Sequence, residues 1–386
     1  MVCIGLDVGR EKHDYVVMSE GRERFLDGTF PNESWAFTAW CEHVEGVCGT
    51  TKIRLAYETA NGLATPLDQF LVDRGWELVT IQPCAVKSYR QNVLRQHDKT
   101  DRSDAWTLAH LGLQWNAPDS PRDQPRRALR TLTRWRESLV RSQTRTVNRL
   151  RQTTAAYWPE LTRSTLITNY GALYIMALFE HFPDPKTLSE IPPTKVMERF
   201  RQSGSRIPAN RLLLLQRLAR QNSVYPKEKE QLVMTAQLLA RRLKSLLQDI
   251  AEVDKLLEDL GRDDAIVKFL LSWSGVGIVT ATTYASEIQC IDNFESESSL
   301  ASYCGLALRR VQTGKSKNYN SPQRSANRRL KRCLAQMANG RRLYDTESAR
   351  YYERKRAEGK THLQANRCLA RHITRRIFKS LKSRQA

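Results

Sequence analysis

The chain has 386 residues, room for two or three domains, and sets 62 Lys and Arg against 41 Asp and Glu for a net charge of +21. Such an excess predicts a polyanionic partner, because each cation placed on a phosphate releases a condensed counterion. No apolar run is long enough to span a bilayer, and no signal peptide or lipidation motif is evident. The expectation is therefore a cytoplasmic, nucleic-acid-binding protein with no membrane partner.

Residues 1–94 alternate strand and helix patterns. VCIGLDVG is a short apolar run ending in glycine, a buried strand, and DYVVMSE and RERFLDGTF follow it as hairpin strands split by Gly21. ESWAFTAWCEHV reads as a helix and IRLAYET as a strand. LATPLDQFLVDRG reads as a helix stopped by Gly75, ELVTIQP as a strand and AVKSYRQNVL as a further helix. Strands followed by alternating helices and strands match the order of an RNase H-like α/β domain, an order that many α/β folds share. The stretch HDKTDRSDAWTLAH then opens a helix with Asp101 and Asp104 one turn apart on one face. The first domain is placed at residues 1–122.

Residues 123–262 are expected to be helical. From Pro125 to about Leu150 the pattern is one basic helix: Arg122, Arg126, Arg130 and Arg134 recur every fourth residue, and Arg141, Arg145 and Arg149 repeat the step. Leu129, Leu132, Leu139, Val147 and Leu150 lie on another face. The arginine row is either a solvated face or a surface that tracks phosphates. A segment marked by Pro183, Pro185, Pro192, Pro193 and Pro208 follows. Next, a helix from about Glu228 to Leu260 carries apolar heptads. Leu232, Leu239, Leu246, Val253 and Leu260 form one seam position; Ala236, Leu243, Ile250 and Leu257 form the other. This predicts a coiled coil, paired with the basic helix or with another subunit.

Residues 263–386 open with LLSWSGVGIVTATTYASEI, where Gly275 and Gly277 between two helical patterns resemble a helix-hairpin-helix that holds a phosphate. From Ala301 onward, 23 Lys and Arg face four acids, so +19 of the net charge lies in this last, mostly helical part. The eight cysteines form no CxxC pair and do not group with the histidines at zinc-ligand spacing, so reduced, mostly buried thiols are expected.

Metal-dependent phosphoryl chemistry needs carboxylates that converge from different elements on hard cations. Asp7 on the first strand, Glu58 at the end of the strand IRLAYET, and Asp101 with Asp104 meet that need if the fold is RNase H-like. Taken singly, each reads as a helix cap or an ordinary strand-end acid. Together, on these elements, they read as a metal site. His13, Asp14 and Asp98 are placed at the surface.

GLDVGREKHD, YETANGLATPLDQFLVDRGWELVTIQPCAVKSYR and KTDRSDAWTLA resemble the three blocks of the DEDD transposases, the insertion-sequence one-ten family. Downstream, LLSWSGVGIVTATTYASEI, FESESSLASYCGLALRRVQTGKS and RRLKRCLAQMA resemble that family's C-terminal domain, and pilin-gene invertases share the layout. The resemblance implies a RuvC-like N-terminal domain, a coiled-coil middle and a C-terminal domain that supplies a serine nucleophile. It also implies DNA recombination by a homo-oligomer, dimer or tetramer, guided by a structured bridge RNA. By the same resemblance, Asp7, Glu58, Asp101 and Asp104 bind Mg²⁺.

The sequence departs from the family at the nucleophile. Where the family has Ser before Gly, GLALRRVQTGKS places Thr313 before Gly314, with Ser316 the second candidate. Arg309, Arg310, Lys315 and Lys317 would neutralise the phosphate there, and Asn327 replaces a later family glycine. Two rival functions stay open at this point: a metal-dependent junction nuclease in which water attacks, and a repurposed, non-catalytic nucleic-acid-binding protein.

Overall fold

A computed structural model of the chain describes residues 2–21, 23–50, 52–58, 63–95, 100–114, 124–164, 166–223, 226–313, 317–322 and 326–383; at 124–125, 309–313 and 317–322 it describes the backbone alone. The chain divides into two compact units, Met1–Asp123 with Cys290–Glu295, and Gln124–Gln289 with Ser296–Ala386. Among the described residues no helix is long and apolar enough to cross a membrane.

The first unit is built on strands β1 (Val2–Val8), β2 (Lys12–Ser19), β3 (Arg24–Pro31), β4 (Ile53–Glu58) and β5 (Glu77–Ile81). They form one sheet in the order β3-β2-β1-β4-β5. β1, β2 and β3 pair antiparallel; β4 runs parallel to β1, and β5 to β4. Helices α1 (Ser34–Cys48), α2 (Thr65–Asp73), α3 (Pro83–Asn92) and α4 (Asp101–Gln114) complete the unit.

The strands alternate, so β1 and β4 each contribute to two cores. Ile4, Leu6, Leu55 and Tyr57 face α1 and α2, packing with Phe37, Trp40 and Leu67. Cys3 and Ala56 face the other way, into a cluster with Leu108 and Leu111 of α4. Each large apolar side chain buried this way contributes about 1.5–3 kcal/mol. The backbone of α4 lies directly on β1: a Cβ at Gly5 would come within 1.9 Å of the Ala105 carbonyl oxygen and 2.3 Å of the Ala109 nitrogen. At Gly112 a Cβ would stand 2.5 Å from the Cys3 sulfur and the Ala56 Cβ. Ala105 meets β1 at Gly5, and Gly112 meets it further back, at Cys3. α4 therefore runs opposite to β1, and its first turn comes to the end of β1 that carries Asp7.

In the second unit the long helix α5 (Gln124–Tyr157) precedes five short ones: α6 (Pro159–Arg163), α7 (Leu173–His181), α8 (Pro185–Glu190), α9 (Pro193–Gln202) and α10 (Ala209–Gln221). The second long helix, α11 (Lys229–Gly261), follows. α5 and α11 pack antiparallel within the chain, since Leu129 and Leu139 cluster with Leu246–Leu257 while Leu150 clusters with Ala236, Ala240 and Leu243. Of the two heptad positions, Ala236, Leu243, Ile250 and Leu257 are buried along the whole helix. At the other position Leu232 and Leu239 are only partly buried and Leu260 is 42% exposed. The proline-marked segment is helical: α6–α10 carry their own core, with Phe179, Leu188, Val196, Phe200 and Leu215 buried in one cluster with Tyr157 and Trp158.

The rest of the unit is α12 (Ala265–Leu271), α13 (Ile278–Ile288), α14 (Glu297–Tyr303), β6 (Leu308–Thr313), β7 (Lys317–Pro322), α15 (Arg328–Tyr344), α16 (Thr346–Ala357) and α17 (His362–Ser383). β6 and β7 form an antiparallel hairpin in an otherwise helical region, an element the sequence pattern did not indicate. The expected helix-hairpin-helix falls on α12 and α13. There, Gly275 (φ +82°) presses on α15, and a Cβ would lie 2.5 Å from the Gly340 carbonyl carbon. The residue predicted to offer backbone to a phosphate is used for helix packing. Gly277 caps α13, with nothing within 4 Å of the place its Cβ would take.

Candidate active site

Asp7 is the last-but-one residue of β1 and Glu58 the last of β4. Leu6 is in register with Tyr57, so the two acids follow each other across neighbouring parallel strands. Asp7 shares its face with Cys3 and Gly5, and Glu58 shares its face with Ala56, which is the face α4 covers. Carboxyl ends of parallel strands are where open α/β sheets place their ligands. Asp101 and Asp104 complete the group from the first turn of α4.

The electrostatics agree with this placement. The Asp7 carboxyl is raised to about 6, first by burial and then by the charges of Asp104, Asp101, Glu58 and Asp14. Asp14 belongs to the same patch, being paired with Asp7 across β1 and β2. His13 is not at the surface as expected; it is fully buried, 5.0 Å from the Phe30 ring. Asp98 lies outside the described residues.

A capping role does not account for the acids of α4. Thr100 and Ser103 cap the helix reciprocally: the Thr100 N–H donates to Ser103 Oγ (2.9 Å) and the Ser103 N–H to Thr100 Oγ1 (3.1 Å). Asp101 is exposed and Asp104 is buried. The Asp104 carboxylate accepts from the guanidinium of Arg90, a residue of α3 that the sequence reading passed over.

The four acids offer hard oxygen donors, and the other three raise the Asp7 carboxyl by their charge, which suits a divalent cation. Yet among the described residues no three His, Cys, Asp or Glu side chains are grouped as a metal site. The acids converge and interact without forming a cage.

The second set of predicted residues lies on the hairpin. Thr313 ends β6 and is paired in register with Lys317, the first residue of β7. Ser316 and Lys315 lie outside the described residues, as do the side chains of Arg309, Arg310, Thr313 and Lys317. Past the hairpin, Asn327 accepts from the Arg329 and Leu330 N–H groups at 3.1 Å each as the N-cap of α15. Its amide donates to the Glu287 carboxylate (2.8 Å), which also accepts from Arg134 (2.9 Å). Burial pushes Glu287 up, but these hydrogen bonds and the Arg130 charge outweigh it and hold the group below the usual range. Asparagine at 327 thus has its own structural task.

The arginine row divides in two. Arg126 bonds Asp264 (2.9 Å) and the Gln289 carbonyl, Arg130 donates to the Ser286 carbonyl (3.1 Å), and Arg134 pairs with Glu287. These three, expected on phosphates, are used inside the unit. Arg141, Arg145 and Arg149 are exposed. Arg141 pairs with Glu137, which also takes Arg329 and Arg332 from α15.

Comparison with known proteins adds the context. Residues 4–159 match a DEDD family of IS110 elements described as Transposase, and residues 267–353 match the Transposase IS116/IS110/IS902 family. An insertion element IS110 protein of 43.6 kDa from Streptomyces coelicolor is 27% identical over 99% of this chain and 94% of its own length. The 42 kDa protein of insertion element IS900 from Mycobacterium paratuberculosis is 26% identical over 96% of this chain and 93% of its own. A mini-circle putative transposase for IS117, from Streptomyces coelicolor, is 21% identical over 100% and 94%.

Proposed function

We propose a function from one premise: this chain belongs to the IS110 family of transposases, DNA-processing enzymes of insertion elements. The finer reading concerns how it handles DNA. In that reading the first unit is an RNase H-like (RuvC-like) domain, supported by the strand order β3-β2-β1-β4-β5. Asp7, Glu58, Asp101 and Asp104 would hold Mg²⁺. The chemistry supplied by bound Mg²⁺ would be charge neutralisation at a DNA phosphate and activation of the attacking hydroxyl. The single observation that carries this reading is the placement of Asp7 and Glu58 at the ends of the parallel strands β1 and β4, with Asp101 and Asp104 in the first turn of the helix α4 that lies on β1.

Thr313 is the proposed nucleophile, with Ser316 second. Its Oγ would bond the phosphorus as the bond to the departing deoxyribose oxygen breaks, and the hydroxyl proton would end on that oxygen. The phosphodiester energy would remain in the protein–DNA link for rejoining strands. The extra methyl of threonine stiffens χ1 and narrows the approach. Arg309, Arg310, Lys315 and Lys317 would neutralise the phosphate oxygens. A bridge RNA would be the second polyanion, held by the basic C-terminal part and by the exposed Arg141, Arg145 and Arg149, in a dimeric or tetrameric assembly.

The test is to trap protein on cut DNA. A covalent adduct lost in Thr313→Ala and kept in Ser316→Ala supports the assignment, and the opposite result moves the nucleophile. Hydrolysed ends with no adduct would select the water-attacking nuclease instead. RNA that copurifies with the protein, sequenced, tests the guide.

A further inference from the structure

The acid cluster contains a cation of the protein's own. Arg90 reaches from the last turn of α3 to Asp104 in the first turn of α4. Both side chains are largely withdrawn from water, with 11% and 12% of their surface exposed. A buried guanidinium and a buried carboxylate each need a partner, and removing either leaves the other costly. The helix start itself does not require Asp104, because Thr100 and Ser103 cap it.

Asp104 stands in the first turn of α4, which lies on β1 beside the strand ends that carry Asp7 and Glu58, and no three His, Cys, Asp or Glu side chains among the described residues are grouped to hold a metal. A carboxylate committed to a guanidinium is oriented toward that group and shares its charge with it. We propose that Arg90 is a positioning residue that serves as an exchangeable counter-ion, holding Asp104 while the acid cluster has no divalent cation and yielding it when one binds. This rests on the acid-site reading above and adds the competition. The divalent cation and Arg90 contend for the same carboxylate, so the arginine sets how readily the site loads. A static staple between α3 and α4 would behave differently, since it would only fix Asp104 in place.

The experiment is a Mn²⁺ titration of the full chain, following free Mn²⁺ by electron paramagnetic resonance, with melting temperatures taken with and without metal. Arg90→Gln is expected to bind Mn²⁺ about tenfold more tightly than the unaltered chain, which corresponds to about 1.4 kcal/mol. It should melt lower without metal and recover with saturating Mn²⁺. Arg90→Lys keeps a competing cation and should stay within about twofold of the unaltered affinity, which preserves the test if the glutamine variant folds poorly. Unchanged or weaker Mn²⁺ binding in Arg90→Gln, or tenfold tightening in Arg90→Lys, overturns the exchange. Absence of Mn²⁺ binding in every chain, or binding untouched by Asp7→Asn, overturns the acid-site reading and this inference with it.

Discussion

Two charged regions of the molecule invite comparison, the carboxylates at the end of the sheet in the first unit and the arginines along α5 in the second. Along the first half of α5 three arginines are answered by acids: Arg126 by Asp264, Arg134 by Glu287, and neighbouring Arg136 by Asp254. At the sheet end the charges accumulate, and Asp7 is pushed to about 6 by burial and four other carboxylates. Buried charge is costly, so a fold tends to pair it where it serves structure. Like charges left together mark a place where a ligand completes the balance. The lesson is that charge density alone does not identify a functional surface; the state of its compensation does.

Breaking each region should therefore have opposite consequences. The largest effect is expected for Asp101→Asn and Glu58→Gln, which should lower DNA strand cleavage by about 10²-fold or more with little loss of fold, read by cleavage assay and melting temperature. Next, Arg134→Ala should destabilise the second unit by about 1–2 kcal/mol, because it removes the guanidinium from the buried Glu287 and leaves that carboxylate the Asn327 amide and the Arg130 charge; denaturant unfolding measures this.

Asp7→Asn should stabilise the metal-free chain. Folded Asp7 keeps its proton up to about pH 6, against 3.8 for an ordinary aspartate. The folded state therefore binds more protons than the unfolded one between those values, and stability falls as pH rises through that window. The gain from Asp7→Asn should reach about 1–3 kcal/mol at pH 7 and vanish near pH 3, as urea unfolding at the two pH values would show. The smallest stability effect is expected for Arg145→Ala with Arg149→Ala, within about 0.5 kcal/mol. That pair should nonetheless weaken nucleic-acid binding and reduce the salt slope by about one per arginine, measured by filter binding at several salt concentrations.

Much of the first unit was legible because its signals are local. Alternation in VCIGLDVG and IRLAYET sets the face of each strand, and that face determines that Asp7 and Glu58 point the same way as Gly5 and Ala56. Arg90 was not legible, since nothing in AVKSYRQNVL distinguishes a surface arginine from one folded onto the next helix. His13 was misplaced because one buried polar residue at the start of a strand looks like a turn residue.

In the second unit the heptads of α11 were readable, but periodicity does not name the partner; the antiparallel packing of α5 does. The prolines of residues 183–208 mark a segment whose internal elements the sequence left unassigned. In the fold, Pro185 and Pro193 open helices α8 and α9, where a missing N–H costs nothing. The arginine row looked uniform because its acid partners, Asp264 and Glu287, lie more than a hundred residues away in sequence. The β6–β7 hairpin was hidden for a different reason: polar, basic strands such as KNYNSP lack the apolar alternation that announces a strand.

The central claim is that carboxylates from β1, β4 and α4 together bind the divalent cation that DNA cleavage requires. Diffraction from crystals grown with Mn²⁺ tests it most directly, through the anomalous signal of the metal. The account predicts a peak bounded by the carboxylate oxygens of Asp7, Glu58 and at least one of Asp101 and Asp104. A well-ordered site with no peak there, or with Arg90 still on Asp104 and the metal bound elsewhere in the chain, would contradict it.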